Sequence, residues 1–248
     1  MNRRRMLIGA GAATALASLG WAGMSALPKR PLALVYRGPA SCTGCSEAVA
    51  ALLRSTPTRF RIEFCGPGEK VKISAESLAT ATVYAQPGGG NVTSAWRRLH
   101  GHANEIRDFV NGGGNYLGFC LGAYLAGTSP GFSLLPGDVG RYISTRLAGT
   151  HQTDDTILPV RWRGKPRHMY FQDGPVFTIE PDASTIVLAT YDTNAPAAVI
   201  ATYGAGRVGV VGPHPEADQS WYATAELTNP DGIRFDLGHD LIESTVHG

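Results

Sequence analysis

The feature that most constrains the fold is a G-x-C-x-G motif between a predicted strand and a predicted helix. An apolar run predicts a strand at Asn115–Phe119, the motif covers residues 118–122, and a helical pattern begins at Leu121. Glycines two positions before and after Cys120 are needed because a strand that turns so sharply into a helix brings the two backbones nearly into contact. Such an elbow indicates an α/β fold, with the Cys120 side chain pointing out of the sheet.

Strands and helices alternate before this motif. Apolar runs predict strands at residues 32–36, 59–64 and 81–85, and helical spacing predicts helices at 45–53 and 93–110. This alternation indicates a parallel sheet covered on both faces. Past Gly131, short strands joined by turns predict hairpins that extend the sheet, followed by two closing helices. These strands are predicted at residues 157–162, 168–171, 176–179, 185–191, 197–203 and 207–211, and the helices at 217–227 and 237–245.

The N-terminal 30 residues are similar to a twin-arginine export signal. Arg3, Arg4 and Arg5 directly precede an apolar, alanine-rich run that continues to about Ala26. An ordinary Sec signal or an uncleaved anchor helix are the alternatives. The pattern predicts a periplasmic or secreted protein with a leader at residues 1–30 and one globular domain at 31–248. Membrane contact is expected only through the leader, if it stays uncleaved.

The charge balance provides no reason to expect a nucleic-acid partner. The chain has 22 basic and 20 acidic residues, for a formal net charge of +2. Cleavage near Ala26 would remove Arg3, Arg4 and Arg5 and leave 19 basic residues against the same 20 acidic ones. Binding to phosphate backbones needs a clear excess of positive charge. A small-molecule or peptide-like substrate is the expected partner instead.

Cys120 is the candidate nucleophile, because it begins a helix whose dipole and free N–H groups favour a thiolate. A buried structural cysteine is the alternative. His214 follows the last predicted strand and is the candidate base, and Glu216 can orient its ring. A glutamate that only caps the next helix is the alternative for Glu216.

Glycines also follow the strand at 81–85. Gly88 and Gly89 would let backbone N–H groups approach a developing oxyanion, with the N–H of Leu121 as a second donor. A plain turn explains these glycines equally well. A literal G-x-G-x-x-G at residues 204–209 lies between two predicted strands with no helix after it, so a hairpin turn is the better interpretation than a nucleotide site.

The remaining cysteines suggest oxidation rather than metal binding. Cys42 and Cys45 form a C-x-x-C motif, which could be a local disulfide, a thioredoxin-like redox pair, or a source of partners for Cys65. A structural disulfide is favoured, and Cys120 is expected to stay free. Two well-spaced ligands are too few for a zinc site, and the histidines share no ligand spacing. No metal and no cofactor are expected.

The P-G-G loop, the G-x-C-x-G elbow and the His-x-Glu pair, in this order, resemble the class I glutamine amidotransferase superfamily. The chain is most similar to the biotin-protein ligase N-terminal domain family within it. The matching segments are V-Y-R-G-P at 35–39, P-G-G at 87–89, G-G-G-N-Y-L-G-F-C-L-G-A-Y at 112–124, Y-F at 170–171 and G-P-H-P-E at 212–216.

The resemblance implies a flavodoxin-like three-layer sandwich with a mostly parallel sheet and an antiparallel extension. It also implies a triad of Cys120, His214 and Glu216, with Gly89 and Leu121 as oxyanion donors. Where other members carry glycine-rich sequence after the Tyr-Phe pair, this chain has Gln172 and Asp173.

Two functions from different classes follow. The first is a cysteine hydrolase or amidase that acts on a C–N amide bond. Glutamine-dependent synthesis is less plausible, because no synthetase domain is visible to receive ammonia. The second is a non-catalytic module that uses the same pocket to bind a small ligand, and resemblance of fold does not choose between the two.

Overall fold

A nine-stranded sheet organises the computed structural model of the chain, which describes residues 30–179 and 184–248. The strand order is β2-β1-β3-β4-β11-β10-β9-β6-β7. The strands are β1 (Leu32–Tyr36), β2 (Arg61–Cys65), β3 (Val83–Gln86), β4 (Asn115–Phe119), β5 (Gly137–Arg141), β6 (Thr156–Trp162), β7 (Lys165–Phe171), β8 (Pro175–Ile179), β9 (Ile186–Tyr191), β10 (Pro196–Tyr203) and β11 (Gly206–Val211).

Helices cover both faces of the sheet. They are α1 (Cys45–Ser55), α2 (Ala75–Leu78), α3 (Val92–Leu99), α4 (Ala103–Asn111), α5 (Leu121–Leu125), α6 (Gln219–Thr224) and α7 (Phe235–His247). Helices α1 and α7 contact each other, and so do α3 and α5. The result is a three-layer α/β sandwich, which confirms the fold class expected from the sequence.

Five strands of the sheet, β2, β1, β3, β4 and β11, run parallel. Every residue of β1 is buried, and its side chains alternate between two cores. Ala33 and Val35 belong to the core on one face, whereas Leu34 and Tyr36 belong to the core on the other. Because both faces of a parallel sheet are covered, such strands are apolar throughout. This composition made them recognisable in the sequence.

Antiparallel strands continue the sheet from β11 through β10, β9 and β6 to β7. Residues Gly204 and Ala205 form the two-residue turn between β10 and β11, since Tyr203 pairs with Gly206. Gly204 has a φ of +60°, a conformation that glycine adopts without strain. The G-x-G-x-x-G pattern is therefore a hairpin, as predicted.

The prediction that β8 extends this sheet is wrong. Strand β8 pairs with β5 in a separate two-stranded sheet, with Val139 opposite Phe177. Strand β5 was not predicted at all, because its residues G-D-V-G-R are mostly glycine or charged and lack alternating apolar positions.

The single helix predicted at residues 93–110 is also wrong. Helix α3 ends at Leu99, a short 3₁₀ turn covers His100–His102, and α4 begins at Ala103. Gly101 lies within this turn, and glycine is among the poorest helix formers. The apolar spacing continues across the break, so periodicity alone could not reveal it.

The leader prediction concerns residues that lie outside the described range, which begins at Arg30. In the part of the chain that the structure describes, no helix is both long enough and apolar enough to span a bilayer.

Candidate active site

Cys120 lies at the sharp turn between β4 and α5, with φ of +47° and ψ of −101°. This backbone conformation is rare for a non-glycine residue and is a feature of functional sites. The Cys120 N–H donates to the Val211 carbonyl at 2.9 Å, which fixes the turn to the end of β11. A Cβ on Gly118 would lie 2.6 Å from the Gly122 carbonyl oxygen, and one on Gly122 would meet the Gln86 carbonyl oxygen. Both glycines of the motif are therefore required by close backbone contacts.

His214 and Glu216 follow β11, the strand that pairs with β4. The His214 N–H donates to the Tyr170 carbonyl at 2.8 Å, and the imidazole packs against the rings of Tyr170 and Trp221. His214 Nδ1 is 2.8 Å from Glu216 Oε1, and the residues are only 4% and 1% exposed. The carboxylate accepts a hydrogen bond from Nδ1, which fixes the orientation of the ring. Nε2 is then the ring nitrogen that remains for contact with Cys120 or a substrate.

Gly88 lies where His214 and Cys120 come together. The point at which a Cβ on Gly88 would stand is 3.1 Å from His214 Cε1 and 3.8 Å from Cys120 Cβ. His214 Nε2 is buried and makes no hydrogen bond of good geometry among residues 30–179 and 184–248, although the Cys120 side chain is close enough to help raise the pKa of the ring. The Cys120 thiol lies 3.6 Å from the Gln172 carbonyl oxygen. A reacting group that enters beside Gly88 would therefore meet an imidazole nitrogen whose bonding capacity is unused.

The electrostatics of the site favour a charged imidazole. Burial disfavours the charge of His214, but the neighbouring Glu216 carboxylate and Cys120 sulfur outweigh burial and raise its pKa to about 10. Since the ordinary value is 6.5, the Glu216 contact stabilises the fold fully below about pH 6.5. This contribution is lost as the pH rises through the folded-state value of about 10.

We expect Glu216→Gln to destabilise the protein by about 1–3 kcal/mol at pH 6, because a buried imidazole loses the carboxylate that keeps it charged. The loss should be smaller near pH 10.5, where the wild-type imidazole is already mostly neutral. Urea unfolding at both pH values measures the difference. An equal loss at both would contradict the raised pKa of His214. Glu76→Gln, which changes an exposed carboxylate on α2, serves as the control.

The glycine loop after β3 lies against the helix that begins at Leu121. A Cβ on Gly89 would stand 2.6 Å from Leu121 Cδ2 and 3.1 Å from Ser41 Cα. The N–H of Leu121, the first residue of α5, lacks an intrahelical acceptor because it lies in the first turn. The N–H of Gly89 donates to no backbone carbonyl in the described part of the chain. Within the described residues, neither N–H group therefore donates to a backbone carbonyl.

A cleft of about 690 Å³ opens over Cys120 and is lined by Gly89, Leu121 and Tyr124 among others. Its wall includes an ion pair between Arg141 and Asp173, with Arg141 Nε 3.1 Å from Asp173 Oδ1. Neither Arg141 nor Tyr124 was predicted from the sequence as a site residue. Arg141 ends strand β5, which was not predicted. Asp173 has a φ of +45°, a conformation that is uncommon for a residue other than glycine.

The four cysteines fall into two groups. Cys42 and Cys45 form a disulfide with their Cα atoms 5.3 Å apart, whereas Cys65 and Cys120 are free. Cys65 is buried, and burial raises its pKa to about 12. The structure thus joins Cys42 to Cys45 rather than either one to Cys65. Within the described ranges, no three His, Cys, Asp or Glu side chains are grouped to hold a metal ion.

Comparisons with known proteins find a family match over part of the chain. A sequence model of the family described as "Biotin-protein ligase, N terminal" matches residues 32–137, which include Cys120 but not His214. No curated protein sequence matches the chain.

Among solved structures, a GMP synthase protein from Thermoplasma acidophilum is similar, with a TM-score of 0.55 and 12% identity. The similarity covers 87% of this chain and 92% of that one. The GH42 β-galactosidase Gan42B has a TM-score of 0.50 and 14% identity, over 86% of this chain and 30% of that one.

At such low identity the structural matches show the fold alone. They agree with the family match, because the GMP synthase protein has a glutamine amidotransferase-like fold. Residues 32–137 of the chain thus match the biotin-protein ligase N-terminal domain family, and the fold is glutamine amidotransferase-like.

Proposed function

We propose that the protein is an exported cysteine-dependent hydrolase or amidase that cleaves a C–N amide bond. The observation that carries the proposal is the state of His214. Its Nδ1 is held by Glu216, while its buried Nε2 has no partner in the described part of the chain, and the ring lies next to Gly88 and Cys120. A buried nitrogen without a hydrogen-bond partner lowers the stability of the fold. Such groups are concentrated at functional sites, and a role in proton transfer would explain this one.

In the first half of the reaction, the Cys120 thiolate attacks the amide carbonyl carbon and forms a C–S bond. The carbonyl electron pair moves to the oxygen, where the N–H groups of Gly89 and Leu121 stabilise the negative charge. Collapse of this intermediate breaks the C–N bond. The leaving amine takes the proton from His214 Nε2, and a thioester remains on Cys120.

In the second half, water attacks the thioester and His214 accepts its proton. The raised pKa of His214 would oppose this step if it persisted. Two groups raise this pKa, first the Glu216 carboxylate and then the Cys120 sulfur, and acylation converts the sulfur into a neutral thioester. His214 is thus a better acid before acylation and a better base after it. Breakage of the C–S bond releases the acid and restores the thiolate.

The proposal is tested by alkylation of the folded protein with iodoacetamide, followed by peptide mapping. We expect Cys120 to react at neutral pH and His214→Ala to slow this reaction at least about tenfold, because the neighbouring positive charge that favours the thiolate is lost. His100→Ala, which changes an exposed histidine in the 3₁₀ turn, is the control. Equal rates in wild type and His214→Ala would remove the basis for a thiolate–imidazolium pair. A small-ligand-binding module on the same fold would give that result.

We also propose that the protein is exported by the twin-arginine route. Support comes from the arginines at positions 3–5 and the apolar run that follows them, and a disulfide at Cys42–Cys45 suits an oxidising compartment. Replacement of Arg3, Arg4 and Arg5 by lysine should block export of a folded fluorescent reporter fused to residues 1–30. Undiminished export of the triple variant would favour the Sec route.

A further inference from the structure

The loop that contains the C-x-x-C motif contacts the glycine loop at residues 87–90, which carries the proposed oxyanion donor. The Cys42 N–H donates to the Gly88 carbonyl at 3.1 Å, which joins the two loops through their backbones. The point at which a Cβ on Gly88 would stand is 3.6 Å from Cys45 Sγ, so the disulfide lies directly behind the glycine that contacts His214 and Cys120. The loop also packs on Gly89, since a Cβ there would be 3.4 Å from the Cys42 nitrogen.

This hydrogen bond controls the direction of a proposed catalytic group. The Gly88 C=O and the Gly89 N–H belong to one planar trans peptide and therefore point in opposite directions. When Cys42 holds the carbonyl on one side, the Gly89 N–H must face the other side. Glycines at positions 88, 89 and 90 offer little resistance to rotation of this peptide, because they have access to a wide range of backbone conformations. The peptide is kept in place by its partner rather than by its own residues.

The disulfide holds the Cys42 N–H, the partner of the Gly88 carbonyl, in position. It ties Cys42, which is exposed, to Cys45, which is 1% exposed and is the first residue of α1. The helix is anchored in turn, because Ser46 Oγ donates to the Tyr36 carbonyl at 2.8 Å at the end of β1. With the disulfide closed, the Cys42 N–H is held by the sheet through α1. With it open, Cys42 is held only through its chain neighbours, such as Ser41, whose N–H donates to the Gly38 carbonyl at 3.0 Å. The Cys42 N–H then has more freedom to move away from Gly88.

We propose that the Cys42–Cys45 disulfide is a positioning element for the Gly89 oxyanion donor, so that acyl transfer at Cys120 depends on the redox state of the C-x-x-C motif. The inference rests on the proposed function and deepens it. The disulfide does not touch the substrate. It acts through the Cys42 N–H and the Gly88–Gly89 peptide.

Reduction of the disulfide is chemically accessible from solvent. A thiolate of an external dithiol attacks the exposed Cys42 Sγ, the S–S bond breaks, and its electron pair leaves on Cys45 Sγ. The N-terminus of α1 stabilises the Cys45 thiolate that forms. The second thiol of the reductant then displaces Cys42, so that the dithiol is oxidised to a disulfide and both cysteines are reduced.

The test separates the oxyanion donor from the nucleophile by the use of two probes on the full folded protein. Acylation of Cys120 by p-nitrophenyl acetate passes through an oxyanion and releases p-nitrophenolate, whereas alkylation by iodoacetamide forms none. Both rates are measured at Cys120 itself by peptide mapping, because Cys42 and Cys45 also react with the probes once they are reduced. The samples are the wild type, the wild type reduced and desalted without oxygen, and the double variant Cys42→Ser with Cys45→Ser. Cys65→Ser is the control, because Cys65 is the other free cysteine and lies outside the disulfide. Circular dichroism confirms that each sample is folded.

We expect acylation to fall roughly 10-fold to 100-fold in both the reduced wild type and the double variant, with alkylation unchanged within about twofold. An equal fall in both rates would overturn the inference, since the loop would then act on the thiolate. Unchanged acylation would also overturn it and leave the disulfide a purely structural feature. Absence of acylation in the oxidised wild type would instead overturn the proposed function, and the inference with it.

Discussion

Cys120→Ser is expected to reduce acylation by p-nitrophenyl acetate at least about 1,000-fold while the fold is retained. A serine hydroxyl must lose its proton to a base before it attacks. His214 is poorly suited to accept that proton, because the Glu216 carboxylate, the first of the groups that raise its pKa, remains in the variant and still favours the charged imidazole. Serine is close to cysteine in size, so the free energy of unfolding should change by no more than about 1 kcal/mol.

The measurement is the initial release of p-nitrophenolate at pH 7, together with urea unfolding of each protein. Cys65→Ser controls for the loss of a buried free thiol elsewhere and should keep the wild-type acylation rate. A Cys120→Ser variant that acylates within tenfold of the wild type would show that another residue accepts the acyl group. Loss of the fold in that variant would mean that Cys120 is needed for packing, which is the structural alternative considered from the sequence.

Gly122→Ala is expected to have the largest effect on stability, a loss of about 3 kcal/mol in the free energy of unfolding. An added methyl group would meet the Gln86 carbonyl oxygen and stand 3.0 Å from Gln86 Cβ. The contact is with the backbone of β3, which is buried between β1 and β4 and cannot move aside cheaply. The expected relief is a shift of α5 away from the sheet, which would displace Cys120 as well.

Gly101→Ala is the matched control, because a Cβ there has no atom within 4 Å. It should change stability by less than about 0.5 kcal/mol. Urea unfolding of both variants tests the comparison. Similar stability for Gly122→Ala and wild type would mean that α5 and β3 are not as close as the structure places them, and the reason for the G-x-C-x-G spacing would fail.

The parallel half of the sheet could be predicted from the sequence to within a few residues. Strands β1 and β4 have the predicted bounds, because strands buried on both faces leave an uninterrupted apolar run. Strand β5 and its pairing with β8 could not be predicted in this way, because β5 carries no apolar alternation and its partner lies more than 30 residues away. Local periodicity contains no information about such a pairing.

Some residues of the candidate site could likewise be predicted from the sequence, and others could not. Cys120, His214 and Glu216 could be proposed as site residues because each follows a recognisable strand, and parallel strands end at one edge of the sheet. Arg141 and the contact between Cys42 and Gly88 were not predicted. They depend on how separate loops fold over that edge, and no short motif encodes it.

The role of Cys120 as the acyl acceptor is tested most directly by mass mapping of the acyl group after the wild type reacts with p-nitrophenyl acetate. We predict one acetyl group, found on the peptide that contains Cys120, formed at neutral pH and lost with time as water hydrolyses the thioester. His214→Ala should both form and lose this group more slowly, because the same imidazole serves each step. An acetyl group mapped only to lysines or to another cysteine, at a rate that His214→Ala does not change, would contradict the proposed mechanism.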